Sequence, residues 1–352
     1  MKIVFQVLAI IAWSWTACTG LMAQSPILRM ATSSSLSGQK PAGTFTLHSR
    51  VDLVVLHATV LDKNGHHVEG LQKNDFQVYE NGTPQKLAVF SHADVPVTVG
   101  ILIDDSGSMR IVRPSVNAAA WSFVKTSNPA DQVFVVTFNQ AYDFDLPGPF
   151  ATDTGQLRTA LNHHIESRGG TALYDAVYAS LEHLHLGSHD QKKALLVITD
   201  GDDNASAHTL SQLIRYEEQS AAQVYVVGLL EGGGYLPGED YEMNIMKKMA
   251  DVTGAKALFP TSLTQVDQVC DHVAHLIRDQ YTLGYYPTNV ARDGSFRRIK
   301  VVALEPNTDE PLIVKTRLGY YAPEGNPLAT SSARKGVNSL GQNLILTARN
   351  HH

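Results

Sequence analysis

The sequence predicts an α/β domain with a doubly wound, mostly parallel sheet and helices on both faces. It is inserted in, or flanked by, a β-sandwich-like domain made from N- and C-terminal strands. Three observations predict this. Near-continuous apolar strands alternate with amphipathic helical patterns through the middle of the chain. β-branched and aromatic runs bounded by turn residues lie before and after that middle. Two central strands end in clusters of aspartate, at the strand ends where an open α/β sheet binds its ligands.

Taken in order, residues 1–23 read as a signal peptide. Lys2 is the only charged side chain before Arg29, the apolar "IVFQVLAIIAW" follows it, and Leu21 and Ala23 suit the −3 and −1 positions of a cleavage site. An uncleaved anchor is the competing reading, disfavoured by Gln6 and the polar "SWTACTG". Lipidation at Cys18 is disfavoured by Trp15, which stands where an aliphatic residue is wanted. Export to the periplasm, cell surface or medium is therefore expected. Residues 24–48, rich in Ser, Gly, Thr and Pro, read as a flexible linker.

Residues 49–95 form an N-terminal β segment. "VDLVVLHATVLD" and "FQVYENGTPQKLAVF" are broken by "KNGHH" and "ENGTPQ", and Asn-Gly between such runs signals a hairpin. Residues 96–279 hold the α/β domain, with strands "VTVGILID", "DQVFVVTFN", "KALLVITD", "AQVYVVGLL" and "AKALFP". A helix beginning at Thr171 repeats Leu173, Ala176, Val177, Leu181 and Leu184 on one face, and another aligns Val266, Val269, Cys270, Val273 and Ile277. Residues 280–323 are again β-rich ("DQYTLGYYP", "SFRRIKVVAL", "LIVKTRLGYYA") and are expected to pack with 49–95. Tyr285, Tyr286, Tyr320 and Tyr321 are expected to fill that β domain. Residues 324–352 read as a disordered tail.

Composition narrows the function. Of 352 residues 43% are hydrophobic and 18% charged, with a net charge of −6 and no block of like charge, so nothing points to nucleic acid or an anionic membrane surface. Any membrane association rests on a possible N-terminal anchor. Cleavage after Ala23 leaves Cys270 as the sole thiol, which rules out an internal disulfide and a Cys-rich zinc site and marks it as a small core residue.

The chemistry concentrates at strand ends. "GILIDDSGS" closes one strand, "LLVITDGDD" closes another, and "ESRGGTALYDAV" leads into the helix at Thr171, its Gly169-Gly170 pair permitting close backbone approach. Asp104-x-Ser106-x-Ser108, then Thr171 in "GGTALYDA", then Asp200 in "TDG", resembles the metal-ion-dependent adhesion site of von Willebrand factor type A (VWA) domains. All five family positions are occupied, in the family's order. The flanks "VLDKNGHHVEGLQKNDFQVYENGTPQKLAVF" and "YTLGYYP…DGSFRRIKV…GYYAP" are similar to those of secreted bacterial VWFA-related proteins, so the likeness runs from about Val51 to Pro323.

The resemblance implies that Ser106, Ser108 and Thr171 contact a metal through hydroxyls, and Asp104 and Asp200 directly or through water. Hard divalent cations prefer oxygen, and a small hydroxyl-rich site suits Mg²⁺ or Mn²⁺ better than Ca²⁺. Five residues leave one of six positions open, and a partner protein or peptide offering a carboxylate can fill it. The expected function is a binding module, not an enzyme.

Each residue also has a plain structural reading. Ser106 and Ser108 can cap the following helix, Thr171 can be a first-turn residue, and Asp200-Gly201 an ordinary turn. A structural or assembly component with a purely stabilising metal site is the main alternative. A hydrolase fits less well, because "DDSGS" departs from the serine-protease and nucleophile-elbow patterns. Asp105, Asp202 and Asp203 are expected to be solvated or to support the site, and Asp175 to support the Thr171 loop. The adjacent pairs His66-His67, His163-His164 and His351-His352 make poor chelates. Gly232–Gly234 reads as a mobile loop near the rim. Asn81 and Asn204 begin glycosylation sequons, which the bacterial resemblance argues against modifying.

Overall fold

A computed structural model describes residues 52–325, apart from 152, 165–168, 189–191, 231–238, 307 and 309. The expected signal peptide, linker and Gly232–Gly234 loop, and the tail beyond Gly325, lie outside the described residues. Among those described, no helix is long and apolar enough to cross a membrane.

The chain opens with β1 (Val54–Leu61), β2 (Phe76–Glu80), β3 (Thr83–Gln85) and β4 (Leu87–Ser91). The Asn-Gly signal is a tight turn: Asn81 has φ 47° and Gly82 φ 82°, the left-handed pair such a hairpin needs, and Glu80 faces Thr83 across it. The α/β domain follows with β5 (Val97–Asp104), α1 (Arg113–Thr126), β6 (Gln132–Phe138), β7 (Tyr142–Phe144), α2 (Thr154–Leu161), α3 (Leu173–Gly187), β8 (Lys192–Thr199), α4 (Leu210–Gln219), β9 (Gln223–Gly228), α5 (Glu239–Thr253), β10 (Ala257–Leu258) and α6 (Val266–Arg278). Strands β11 (Tyr281–Tyr285), β12 (Phe296–Ala303), β13 (Ile313–Lys315) and β14 (Gly319–Tyr321) complete the described chain.

The central sheet has the order β10-β9-β8-β5-β6-β7, parallel except for the edge strand β7. Every residue of β5 is buried, which explains why its sequence is apolar without alternation. Its side chains divide between two cores. Val97, Val99, Ile101 and Ile103 join α1 and α6 on one face, while Leu102 joins α3, α4 and α5 on the other. Gly100 also faces the second core. A Cβ there would lie 2.3 Å from the Phe134 ring and 2.7 Å from Leu195, so the absence of a side chain lets both pack over the strand. Cys270 is a buried core residue of α6, and burial pushes its thiol up to about 12.

The flanking strands build two antiparallel four-stranded sheets, β13-β1-β11-β4 and β14-β12-β2-β3, each combining N- and C-terminal strands. Leu56, Val60, Phe76, Val78, Tyr281, Leu283, Tyr285 and Ile299 meet in one core between them. The run "LIVKTRLGYYA" divides between the sheets. The chain changes sheet at Lys86, between β3 and β4, and again at 316–318, between β13 and β14. Of the four tyrosines expected inside, Tyr285 is fully buried, Tyr320 and Tyr321 are half-buried, and Tyr286 is exposed.

Candidate functional site

Strand order determines where a site can form. From β5 the chain runs through α1 on one face to β6, and later through α3 on the other face to β8, on β5's opposite side. Helices leaving to opposite faces open a crevice at the carboxyl ends of β5 and β8. Asp104 is the last residue of β5, and Asp200 follows the last residue of β8.

Four of the five candidate residues are joined there by a continuous chain of hydrogen bonds. The Ser106 backbone N–H donates to Asp104 Oδ1 at 2.9 Å, the hydroxyls of Ser106 and Ser108 lie 3.1 Å apart, and Ser108 Oγ donates to Asp200 Oδ2. Asp104 and Ser106 are buried, Asp200 half-buried and Ser108 exposed, so the group runs from the sheet to the surface. Thr199 Oγ1 donates to the second Asp104 oxygen at 2.6 Å and accepts from the Gly201 N–H at 3.0 Å. Burial and then the Asp200 carboxylate push Asp104 up to about 6, against the opposing hydrogen bonds from Thr199 and Ser106.

Thr171 is tied by its backbone to the loop that follows Asp200 rather than to the other four side chains. Its N–H donates to Asn204 Oδ1 at 2.9 Å, and its carbonyl accepts from the N–H groups of Asn204 and Ala205, both at 3.0 Å. The adjacent Gly170 is required by this closeness, since a Cβ there would lie 1.7 Å from Asn204 Oδ1. With its carbonyl engaged by the loop, Thr171 does not start the helix as the sequence pattern suggested, and α3 begins at Leu173.

The first turn of α3 is then capped from a distance. The Tyr174 N–H donates to Asp203 Oδ1 and the Asp175 N–H to Ser206 Oγ, both at 3.1 Å. In return Asp175 accepts from the backbone N–H groups of Ala207 and His208 at 2.8 and 2.9 Å. Asp175 thus clamps the loop. Asp203 is half-buried as a cap, and Asp202 is exposed.

Of the two readings of Asp105, solvated or supporting, burial excludes the first. It is buried, with Arg113 NH1 at 2.5 Å and His164 Nδ1 at 3.1 Å from its Oδ1. Arg113 is itself only 2% exposed and also donates to Asn117 Oδ1 and the His163 carbonyl. His163 turns to a different carboxylate, Asp145 at 2.5 Å, so the two adjacent imidazoles address different partners. Sequence reasoning missed Thr199, Arg113, Asn204 and Ser206. The position of Thr199 immediately before Asp200 was a usable signal, whereas the arginine and the two loop residues act through contacts the chain order conceals.

Among the described residues no three His, Cys, Asp or Glu side chains converge as a metal cluster. A family description, the von Willebrand factor type A domain, matches residues 98–271. Among curated proteins none matches the chain. Solved structures with similarity include a von Willebrand factor type A protein from Catenulispora acidiphila (14% identity, 82% of this chain and 77% of that one, TM-score 0.43). An aerotolerance-related membrane protein from Bacteroides fragilis is 17% identical over 51% of this chain and 98% of its own, with a TM-score of 0.41. The pilus adhesin SpaC from Lactobacillus rhamnosus GG is 12% identical over 74% of this chain, which spans 49% of the adhesin's length, with a TM-score of 0.43. Residues 98–271 of this chain are a von Willebrand factor type A domain.

Proposed function

We propose that this protein is an exported binding module in which Asp104, Ser106, Ser108, Thr171 and Asp200 hold a divalent cation and a partner protein supplies a further ligand. The observation that carries it is the chain of hydrogen bonds from Asp104 through the Ser106 N–H and the Ser106 and Ser108 hydroxyls to Asp200, at the switch point of the sheet.

The residues fit such a group chemically. Two carboxylates and neutral hydroxyls are hard oxygen donors suited to Mg²⁺ or Mn²⁺, with Ca²⁺ less suited to so compact a set. Asp104 and Asp200 oppose one another, and Asp104 resists ionisation for that reason and because it is buried. A cation between them would relieve the repulsion and, when bound, would offer an open position to a carboxylate on the partner. Thr199 and the Ser106 N–H hold both Asp104 oxygens in place. The Asp175 clamp holds the loop that presents Asp200.

No bond in the partner need break. Ser108 gives its hydroxyl hydrogen to Asp200, and among the described residues no histidine is hydrogen-bonded to Ser106 or Ser108 as a base would be. A second reading, a stabilising metal that no partner touches, is favoured by the ties from Asp104 to both strand ends. One pair of measurements separates them. Calorimetric titration with Mn²⁺ should show a single site that Asp104→Asn abolishes. Capture of a cell-envelope protein should need Mg²⁺ and disappear in EDTA. Metal binding without metal-dependent capture favours the stabilising role, and no metal binding overturns both.

A further inference from the structure

Beside the aspartate rim lies a cleft of opposite character. It occupies about 510 Å³ between α1 and α2, and its walls include Arg110, Arg113, Arg158, Asn117, Trp121 and His164. Three guanidinium groups in one cleft contrast with a chain of net charge −6. Their roles differ. Arg113 forms the buried floor, its charge balanced by Asp105. Arg110 and Arg158 are exposed, and neither guanidinium has an ion pair or hydrogen bond among the described residues. Arg110 and Arg158 therefore contribute uncompensated guanidinium charge to the lining of the cleft. Half-buried Trp121, with the Lys125 ammonium 5.6 Å from its ring centre, adds a flat aromatic wall.

Two guanidinium groups in a cleft with a flat aromatic wall match carboxylate side chains, which accept paired N–H donors in a plane. Chain order places the cleft beside the candidate metal. Arg110 follows Ser108 by two residues, and Asp105, between Asp104 and Ser106, is the residue that holds Arg113. We infer that Arg110 and Arg158 form a second anchor, independent of metal, for acidic side chains of the same protein partner. The pairing of this anchor with the metal rests on the function proposed above; the arginine anchor itself does not. The partner surface so defined is an acidic segment with at least two carboxylates, one for the cation and one for the cleft.

The test uses the full chain and a fluorescein-labelled oligoglutamate peptide, read by fluorescence anisotropy at low salt in Mg²⁺ and again in EDTA. Wild type should bind in EDTA and more tightly in Mg²⁺. The double variant Arg110→Gln, Arg158→Gln should lose about tenfold in affinity under both conditions, because each lost charge-assisted hydrogen bond is a substantial share of a weak interaction. Both side chains are exposed, so its unfolding midpoint should match wild type. Asp104→Asn should remove only the gain from Mg²⁺. Equal binding of wild type and double variant in EDTA overturns the anchor. Displacement of the peptide by inorganic phosphate at concentrations where acetate has no effect also overturns it, marking a phosphate site instead. Arginine dependence without any Mg²⁺ gain leaves the anchor standing and defeats metal-mediated capture.

Discussion

Asp104 is buried beside Asp200, and its carboxyl is pushed up to about 6 by burial and by that neighbour. Because the folded value lies above the ordinary 3.8, the fold takes up a proton more readily than the unfolded chain between those values. The metal-free protein should therefore lose stability as pH rises through that window, whereas metal affinity should fall as pH drops below about 6, since a ligand carboxylate must be ionised. Asp104→Asn removes the buried charge yet can still accept from the Ser106 N–H and donate to Thr199 Oγ1. It is expected to raise the metal-free unfolding midpoint at neutral pH and flatten its pH dependence, which thermal scans in EDTA from pH 4 to pH 8 would reveal. A lowered midpoint would contradict the account. Arg113 carries the opposite lesson. Arg113→Leu takes the guanidinium away from the buried Asp105 carboxylate, and should cost about 3 kcal/mol in chemical denaturation.

At the scale of elements, the site depends on one helix start and one loop holding each other. Asp203 and Ser206 cap the first turn of α3 while Asp175 caps the loop in return, so each segment satisfies backbone donors of the other. Asp175→Ala removes the acceptor of two backbone N–H groups and of the His208 ring. The expected cost is about 1–3 kcal/mol of stability, with faster hydrogen exchange at Ala207 and His208 and weaker metal binding. Unchanged exchange at those amides would show that the clamp does not hold the loop. Backbone hydrogen bonds from Ala207 and His208 outweigh burial and set Asp175 below its ordinary value, so its share of stability is lost as pH falls below 3.8, the reverse of Asp104.

At the scale of the molecule, the two β sheets close only when both ends of the chain are present. Strand β1 lies between β11 and β13, and β2 between β12 and β3, so each sheet is assembled across the inserted domain. Lys315 bridges to Asp251 at 2.9 Å, and Gln280 donates to Gln223 at 2.8 Å, fastening the sandwich to the α/β domain. A chain ending at Arg278 would keep all the central strands and helices but expose Leu56, Phe76 and Val78. It should bind a hydrophobic dye and lose residues 52–91 to protease, while 96–278 resists digestion. Protection of the N-terminal strands in that truncated chain would mean they do not depend on the C-terminal ones.

The central strands and their alternation with helices were legible because β5, β6, β8 and β9 are buried on both faces and so must be apolar throughout. The Asn-Gly turn was legible for an equally local reason, its left-handed backbone. The clustering of Asp104, Ser106, Ser108 and Asp200 could be anticipated from strand ends, since a parallel sheet brings its carboxyl ends to one rim. Other features arise between residues far apart in the chain. The start of α3 moved because the Asn204 loop took the Thr171 carbonyl, and Asp105 is buried because Arg113 reaches back to it from α1. The sheet changes at Lys86 and at 316–318 follow from which strands lie alongside. Local backbone preference and burial pattern are written in neighbouring residues; polar partners and strand neighbours are chosen only when the chain has closed on itself, and that is where tertiary structure decided.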